Sequence, residues 1–320
     1  MKKIFTIGEL LIDVLSRTKN WDDNQQILKR AGGAPANVAA CVAKLGGHSY
    51  FIGQVGSDDY GDFLINTMQK ISVNTNYLYQ TNQAPTAVVR VYVKSDGNRE
   101  FFFSQETTAD MLFTAQQVGH WFQDDIIHFC SLSLREEANK SAHLKAISLI
   151  RDNQGIVSFD PNVRLAFWKD ANRCRKIILE FIPQADIVKI SDDELFFITG
   201  IQDVNQALES LFVGNVKLIL YTKGKNGATL FTKNYHVSVP GYDVPAIDTT
   251  GAGDAFIGGF LFYLSRYNIN IDHLDQKIGY KILNFSNAVA ALATTKEGAI
   301  DSLPSYFDVI ELMKSKFTNQ

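Results

Sequence analysis

Four short, almost continuously apolar segments constrain the fold of this 320-residue chain more than any other feature. A strand that is apolar on both faces needs cover on both faces, and a parallel sheet between two layers of helices supplies that cover. Stretches long enough for helices separate the four segments, so the pattern predicts βα units and an α/β fold with a mainly parallel central sheet. The predicted strands are residues 126–130, 156–159, 187–190 and 218–221.

Each predicted strand is followed by small or polar residues. In an open α/β sheet, ligands bind beyond the carboxyl ends of the strands. We therefore expect a site among the residues that follow these strands, which are Ser131, Asp160, Asn162, Ser191 and Thr222. The clearest helical periodicity lies in residues 136–150 and 272–294, where apolar residues recur at intervals of three and four.

One segment departs from the α/β pattern. Alternate side chains are apolar from residue 87 to residue 94, Asp96-Gly97-Asn98 supplies a turn, and a second apolar stretch follows. This pattern predicts an exposed antiparallel hairpin over residues 86–105. A small lid over a site is one interpretation, and an ordinary edge hairpin or a dimer contact is the alternative. Because the sequence has no Pro-rich linker, charge block or internal repeat, we expect one core domain with this small β appendage.

Composition and charge exclude several classes of protein. Hydrophobic residues make up 46% of the chain and charged residues 20%, which is typical of a globular fold and not of a disordered chain. The net charge of -3 provides no basic field, so we expect neither nucleic acid nor anionic lipid as a partner. The three cysteines form no CxxC pair and the six histidines show no HxxxH or HExxH spacing, so neither a disulfide framework nor a zinc site is indicated.

The beginning of the chain and its longest apolar run both predict a protein without a membrane segment. Glu9 and Asp13 interrupt the apolar stretch of the first 16 residues, which predicts a first strand and not a signal peptide. The longest strongly apolar run, residues 255–264, is far shorter than the roughly 20 residues that span a bilayer. Together with the unpaired cysteines, this favours a reducing, cytoplasmic location.

The most informative segment is AIDTTGAGDAFIGGFLFYL, residues 246–264. Asp248, Thr249 and Thr250 are good N-cap types, and the glycines at 251 and 253 let the backbone pass close to a ligand before an apolar helix begins. A helix N-terminus with free amides attracts anions, so the segment predicts a site for a phosphoryl group. Neither a dinucleotide-binding GxGxxG, which would need glycine at Phe256, nor a GxxxxGK[ST] motif is present.

Asp254 stands beside this predicted anion site. A carboxylate there repels a bound phosphate, so its presence favours a role as general base that accepts a proton from a hydroxyl. The alternative is that Asp254 simply occupies the first helical turn, where acidic residues are favoured.

A second glycine-rich segment, residues 31–43, precedes a helix rich in alanine and valine. Gly32 and Gly33 allow a ligand to approach the backbone, and Asn37 offers a donor and acceptors to hydroxyl groups. With Asp13 after the first strand, Asn37 makes a candidate clamp for a polyol. The alternative is that the small residues only permit tight helix packing.

Seven motifs in order resemble the ribokinase-like (PfkB) carbohydrate kinases and, within that family, the fructokinases. DTTGAGDAF resembles the strongest signature of the family, whereas GELLIDV, GGAPANVA and DPNVRLAFW resemble the fructokinases. The other motifs are KISDDELFFITG, YTKGKNGATLF and NAVAALATTKEGAIDSLP. The resemblance implies a three-layer α/β/α sandwich over residues 1–320, with a small β-sheet lid built from residues 13–30 and 86–105.

The family's catalytic and substrate motifs carry over to specific residues here. The resemblance implies that Asp254 activates the acceptor hydroxyl and that the amides of residues 251–253 form an anion hole. The implied catalytic residues are Asp254, Gly251, Ala252 and Gly253, and the implied sugar contacts are Asp13, Gly32, Gly33, Asn37 and Arg164.

The nucleotide side is implied in the same way. Its residues are Lys189, Ser191, Glu194, Thr222, Gly224, Gly227 and Asn287. Glu194 matches the glutamate of the family's NxxE element, which implies that it holds Mg2+ through water or phosphate. Serine stands for the asparagine of that element, which leaves the role of Ser191 open. TKGKNG is alternatively a strand-ending hairpin turn, and Asn287 is alternatively a capping or packing residue.

The implied activity is transfer of the γ-phosphate of ATP to the C6 hydroxyl of D-fructose. The implied cofactors are ATP and Mg2+, with K+ bound near Asp248, and the implied assembly is a homodimer through the β lid. Two alternatives stay open. One is a sibling kinase for 2-keto-3-deoxygluconate, ribose or another sugar or nucleoside, and the other is a non-catalytic sugar sensor with the same fold.

Overall fold

The computed structural model describes residues 1–16, 27–93, 99–103 and 107–318. Its strands are β1 (Ile4–Ile7), β2 (Leu11–Ser16), β3 (Ile27–Gly32), β4 (Ser49–Gly56), β5 (Asn74–Thr81), β6 (Val88–Val93), β7 (Arg99–Phe103), β8 (Ile126–Cys130), β9 (Ile156–Asp160), β10 (Ile187–Ser191), β11 (Leu218–Thr222), β12 (Ala228–Phe231) and β13 (His236–Val239). Its α-helices are α1 (Ala34–Lys44), α2 (Asp59–Lys70), α3 (Glu137–Asp152), α4 (Ala171–Phe181), α5 (Asp192–Thr199), α6 (Val204–Glu209), α7 (Ala252–Arg266), α8 (Gln276–Ala293) and α9 (Tyr306–Thr318).

Among the described residues, the main sheet has nine strands in the order β13-β12-β11-β10-β9-β8-β1-β4-β5. The pairs from β11 to β5 are parallel, and β12 and β13 add an antiparallel edge. The prediction of a mainly parallel α/β sheet is confirmed, and the four predicted strands appear as β8, β9, β10 and β11. Three of them extend one residue further than the apolar pattern indicates, because the polar residue that ends each strand still pairs with its neighbour.

Helices cover the main sheet on both faces, as its apolar strands require. On one face Phe129 and Phe159 stack at 4.8 Å between ring centroids and contact Phe181 of α4. On the other face Ile126 and Ile156 belong to a cluster with residues of α7 and α8. The carboxyl ends of the parallel strands are therefore left as the open edge of the sandwich.

A separate four-stranded sheet has the order β3-β2-β6-β7. Strand β6 pairs with β7 in antiparallel register, which confirms the predicted hairpin, while its turn at residues 96–98 and its last two residues lie outside the described residues. Strands β2 and β3 supply the part predicted from residues 13–30, although residues 17–26 also lie outside the described residues.

The beginning of the chain differs from the sequence prediction. We expect one first strand there, but the structure has two: β1 joins the main sheet and β2 joins the small sheet. Gly8 separates them with a φ of 148°, and a Cβ at Gly8 would lie 2.7 Å from Cγ of Pro35 at the start of α1. The break therefore gives α1 room to begin against the end of β1.

The two helices predicted from periodicity are both present. Helix α3 confirms the prediction at residues 136–150, but the prediction at residues 272–294 is too long by one turn. Helix α8 begins only at Gln276, because Asp275 caps it by accepting a hydrogen bond of 2.7 Å from the amide of Ile278. Within the described part of the chain, no helix combines the length and apolarity that crossing a membrane requires.

The aromatic contact of Phe129 predicts a large contribution to stability. We expect Phe129→Ala to lower the free energy of unfolding by about 3–5 kcal/mol, since it removes a fully buried ring from a packed cluster. Phe307→Ala is the matched control, because Phe307 is 68% exposed and its loss should change stability by no more than about 0.5 kcal/mol. Chemical denaturation measures both, and equal effects would contradict the packing described here.

Candidate active site

A cavity of about 820 Å³ opens at the carboxyl ends of the main-sheet strands. Its volume lies in the range of sites that enclose small molecules. Residues of the small sheet, such as Leu11, Asp13 and Val89, line one side, and residues that follow β10 and β11 line another. The cavity thus lies where the polar residues after the strands predict a site.

The N-terminus of α7 faces this cavity. The sequence predicts an N-cap among Asp248, Thr249 and Thr250, but this is wrong: the cap is Gly251, with a φ of 75°, and its position has no side-chain cap hydrogen bond. Glycine is required there, because a Cβ would lie 2.8 Å from the Cβ of Ala299. The amide of Ala252 donates to the carbonyl of Thr249 at 3.2 Å, so Gly251 and Gly253 supply the amides that remain for an anion in the cavity.

Asp248 organises the turn that leads into α7. Its carboxylate accepts hydrogen bonds from the backbone amide of Thr250 at 3.0 Å and from that of Gly298 at 3.1 Å. The hydroxyl of Thr250 donates to the same carboxylate at 2.6 Å. Asp248 therefore joins the loop before α7 to the loop after α8.

Asp254 lies in the first turn of α7 and is 5% exposed. The side-chain amide of Asn37 donates to its Oδ2 at 2.8 Å, and that of Asn162 donates to its Oδ1 at 3.0 Å. Burial raises the pKa of Asp254 above its ordinary value, whereas the Asn37 hydrogen bond and the charges of Arg164 and Lys189 act in the opposite direction. The result is a buried carboxylate on the cavity wall that is able to take up a proton.

Helix α1 carries Asn37 to Asp254. The helix starts directly after Gly33, whose φ is 108°, and a Cβ at Gly33 would overlap the backbone carbonyl of Glu9. Pro35 in the first turn fits a helix start, because its missing amide hydrogen has no partner at that position. The thiol of Cys41 donates to the carbonyl of Ala255 at 3.5 Å and so links α1 to α7.

A buried ion pair lies beside the same turn. Lys189 of β10 donates to the carboxylate of Asp160 at 2.9 Å, and their side chains are only 5% and 0% exposed. Burial alone lowers the pKa of Lys189, but the charges of Asp160 and Glu194 raise it above its ordinary value, so the ammonium stays charged. The ammonium nitrogen lies 3.1 Å from the position that a Cβ of Gly253 would occupy.

Ser191 and Glu194 form a capping box at the start of α5. Glu194 accepts hydrogen bonds from the backbone amides of Ser191 at 2.9 Å and Val163 at 2.6 Å. Burial alone raises the pKa of Glu194, but the charge of Lys189 and these amides hold it below its ordinary value. Ser191, whose role the sequence leaves open, is thus a helix cap on the cavity wall.

The chemistry of Glu194 fits an outer-sphere contact to Mg2+. It is a charged carboxylate that lines the cavity, and hard cations prefer such oxygens. No group of three or more His, Cys, Asp or Glu residues within the described ranges could hold a metal directly. The carboxylate of Glu194 suits contact with Mg2+ through water or phosphate.

Most of the predicted sugar contacts meet in the cavity. Asp13, Gly33, Asn37 and Arg164 line it, and Arg164 is exposed. Gly32 has a different place: it pairs with Leu11 at the end of β3, and a side chain there would overlap the carboxylate of Asp13. Gly32 therefore makes room for Asp13, which lines the cavity.

The predicted nucleotide residues line another part of the cavity wall. Thr222 ends β11, and Gly224 and Gly227 belong to the tight turn that joins β11 to β12. TKGKNG is therefore both a hairpin turn and part of the cavity. The side-chain amide of Asn287 donates to the backbone carbonyls of Val239 and Pro240 at 3.0 and 3.2 Å. Asn287 therefore fixes the loop after β13 in addition to lining the cavity.

Sequence reasoning missed several polar contacts of the site. The sequence predicts Asn162 and Asp160 only as residues that follow a strand, and it does not indicate their bonds to Asp254 and Lys189. Glu9 is 2% exposed, lines the cavity and accepts a hydrogen bond of 2.5 Å from Ser133. Burial raises the pKa of Glu9 to about 7. The acid within an apolar stretch was the available signal for Glu9.

The fold and the site together define a class: an α/β protein with a cavity at its strand ends, a helix N-terminus that no side chain caps and a buried carboxylate beside it. Comparison with known proteins gives the family. The model of the pfkB family carbohydrate kinases matches residues 1–306. The chain belongs to this family, which confirms the resemblance in the sequence and makes the protein a carbohydrate kinase.

Individual relatives cover nearly the whole chain. A probable fructokinase-5 from Arabidopsis thaliana is 39% identical over 318 residues, which are 98% of this chain and 98% of that protein. The crystal structure of fructokinase with bound ATP from Xylella fastidiosa has a TM-score of 0.91 and 32% identity. The match covers 99% of this chain and 100% of the Xylella fastidiosa chain. A double mutant of the Vibrio cholerae fructokinase, bound to fructose, ADP and potassium, has a TM-score of 0.88 and 32% identity, covering 98% of both chains.

The close approach of Gly33 to the backbone of Glu9 predicts a strong effect of substitution. We expect Gly33→Ala to destabilise the protein at least about twice as much as Gly46→Ala, since alanine at either position pays roughly 1–2 kcal/mol for a left-handed backbone. Only Gly33 adds an overlap with backbone, because nothing lies within 4 Å of a Cβ at Gly46. The free energy of unfolding measures both, and similar losses would show that α1 does not depend on this contact.

Proposed function

We propose that the protein is an ATP-dependent fructokinase that transfers the γ-phosphate of ATP to the C6 hydroxyl of D-fructose. The observation that carries the proposal is the buried Asp254 carboxylate next to the N-terminus of α7, which no side chain caps, inside one cavity. The names of the relatives support the choice of sugar, since the plant protein and the two bacterial structures are all described as fructokinases.

Asp254 is the proposed general base. Its carboxylate accepts the proton of the C6 hydroxyl while the sugar oxygen bonds to the γ-phosphorus and the bond from that phosphorus to the bridging oxygen breaks, so that ADP leaves. The amides of Gly251, Ala252 and Gly253 are the proposed donors to the phosphoryl oxygens while negative charge develops on those oxygens. The amide of Ala252 would give up its bond to the carbonyl of Thr249 to do so. When bound, Mg2+ neutralises phosphate charge, and Glu194 is the residue placed to hold it through water.

The sugar end is proposed at Asp13, Gly33, Asn37 and Arg164. Within the described residues, the side-chain oxygen of Asn37 is buried and has no hydrogen-bond partner, although its amide nitrogen is held by Asp254. A buried acceptor of this kind is costly unless a donor reaches it, and a sugar hydroxyl is such a donor. Asn37 thus serves the base with one atom and the substrate with the other.

The nucleotide end is proposed at the opposite wall. Thr222, Gly224 and Gly227 border the phosphates, and Asn287 borders the adenine. Lys189, with Ser191, lies beneath the phosphates, where its charge is shared with Asp160. We propose that K+ binds near Asp248, whose carboxylate joins two loops beside the anion site.

We further propose that the small sheet is a lid and that it forms the contact of a homodimer. The lid supplies Leu11, Asp13 and Val89 to the cavity, so its closure over the sugar would exclude water and limit hydrolysis of ATP. The whole chain then forms one kinase domain with this lid inserted. A cytoplasmic location is part of the proposal, because ATP is supplied there.

The substitution Asp254→Asn tests the assignment of the base. We expect kcat to fall by about 10²-fold or more, because the variant cannot accept a proton, while fructose and ATP still bind with nearly unchanged affinity. Asp152→Asn makes the same change at an exposed acid at the end of α3 and should leave kcat unchanged. Turnover by Asp254→Asn at the wild-type rate would remove Asp254 from the mechanism.

A panel of acceptors tests the proposed substrate. We expect release of ADP from MgATP to have a kcat/KM for fructose at least about tenfold above that for ribose, 2-keto-3-deoxygluconate, mannose and glucose, since hydrogen-bonded hydroxyls discriminate strongly. The assay is run with and without K+. A different preferred sugar would make the protein a sibling kinase, and sugar binding without any turnover would identify a sensor.

A further inference from the structure

We propose that Asn162 is a positioning residue that orients Asp254 for proton transfer, and that the buried Asp160–Lys189 pair holds Asn162 in place. The inference rests on the phosphoryl transfer proposed above. Asn162 follows β9. Its side chain contacts the carboxylate of Asp254, and its backbone amide contacts Asp160 of the ion pair.

The backbone of Asn162 has an unusual conformation that the ion pair supports. Its φ is 43°, in the left-handed region that asparagine tolerates better than most residues other than glycine. The amide of Asn162 donates to Asp160 Oδ1 at 3.0 Å, and Lys189 donates to Asp160 Oδ2 at 2.9 Å. Such a conformation persists only where its surroundings fix it, and here a buried charged pair does so.

The side chain of Asn162 completes a two-point attachment of Asp254. Asn37 holds Oδ2 and Asn162 holds Oδ1, and all three side chains are at most 7% exposed. The torsion that turns a carboxylate about its Cβ–Cγ bond is broad, so one donor does not fix its plane. Two donors on separate oxygens do, and each oxygen keeps a lone pair for the proton of the substrate hydroxyl.

Hydrogen bonds to Asp254 also oppose the effect of burial on its charge. A donor stabilises the ionised carboxylate, so loss of the Asn162 amide should raise the pKa of Asp254 further. The titratable and charged groups that face Asp254 are Cys41 from α1, Cys130 from β8, Asp160 from β9, Arg164 from the next loop and Lys189 from β10.

Asp160 is the neighbour whose titration needs to be separated from that of Asp254. Burial raises the pKa of Asp160 to about 6. Burial also raises the pKa of the Cys41 and Cys130 thiols, and these thiols therefore stay neutral. Lys189 stays charged, because the charges of Asp160 and Glu194 raise its pKa. A measurement that assigns the signal of Asp254 directly is therefore required.

The test uses two variants of Asn162 that keep its backbone conformation accessible. Asn162→Gly removes the side-chain amide. Asn162→Asp keeps the shape of the side chain but replaces the donor to Asp254 with a second carboxylate. We expect both to lower kcat by about 10-fold to 10²-fold while the KM values for fructose and ATP change less than about threefold. We also expect the acidic limb of the kcat/KM profile to move to higher pH, further for Asn162→Asp.

Asn268→Gly is the matched control, because Asn268 has a φ of 48°, is exposed and lies at the other end of α7. It should leave kcat and the pH profile unchanged. A rise in the KM for fructose with an unmoved kcat and acidic limb would make Asn162 a direct sugar contact and overturn the proposal. Unchanged kinetics in both Asn162 variants would overturn it as well.

A second measurement does not depend on turnover. The carboxyl carbon of Asp254 is followed by NMR in protein labelled at aspartate, and its signal is assigned by its loss in Asp254→Asn. We expect its midpoint to lie at higher pH in Asn162→Gly than in the wild-type protein. An unchanged midpoint would overturn the proposal even if the enzyme phosphorylates fructose, and a shifted midpoint would support it even if the substrate is another sugar.

Discussion

The burial of one carboxylate organises this structure. A charge removed from water is unfavourable unless hydrogen bonds and opposite charges compensate it, and the compensation for Asp254 comes from separate parts of the chain. Helix α1 supplies Asn37, the loop after β9 supplies Asn162, and β10 supplies the charge of Lys189. The packing of α1 against α7 and the order of the central strands are the conditions under which these groups meet.

The same arrangement explains how the proposed base and the proposed anion site are able to coexist within four residues. The helix terminus attracts negative charge, so Asp254 and a bound phosphate would compete for the same field. Gly251 gives the first amides to the cavity, whereas the two asparagines provide Asp254 with donors of its own. The separation of these two sets of donors allows both negative groups to be stabilised at once.

The sequence predicted what depends on local composition. Apolar continuity located β8 to β11, and the glycine pattern located the start of α7 with Asp254 beside it. It did not predict the division of the first strand, because the need for Gly8 arises from Pro35 on a helix that packs there. It did not predict the Gly251 cap either, since Ala299, nearly fifty residues away, imposes it. The contacts of Asn162 and Lys189 are likewise pairs between distant segments, which no single segment reveals.

Two of the connections between the sheets are very short and lie side by side. Residues 8–10 join β1 to β2, and Gly33 alone joins β3 to α1, whereas residues 82–87 join β5 to β6. These links touch, because Gly33 packs on the carbonyl of Glu9. Two short links that touch fix this end of the small sheet to the main body, so any displacement of the small sheet would be smallest here. Asn37 lies in the first turn of α1, directly after one of these links, so its bond to Asp254 would be little disturbed by such a displacement.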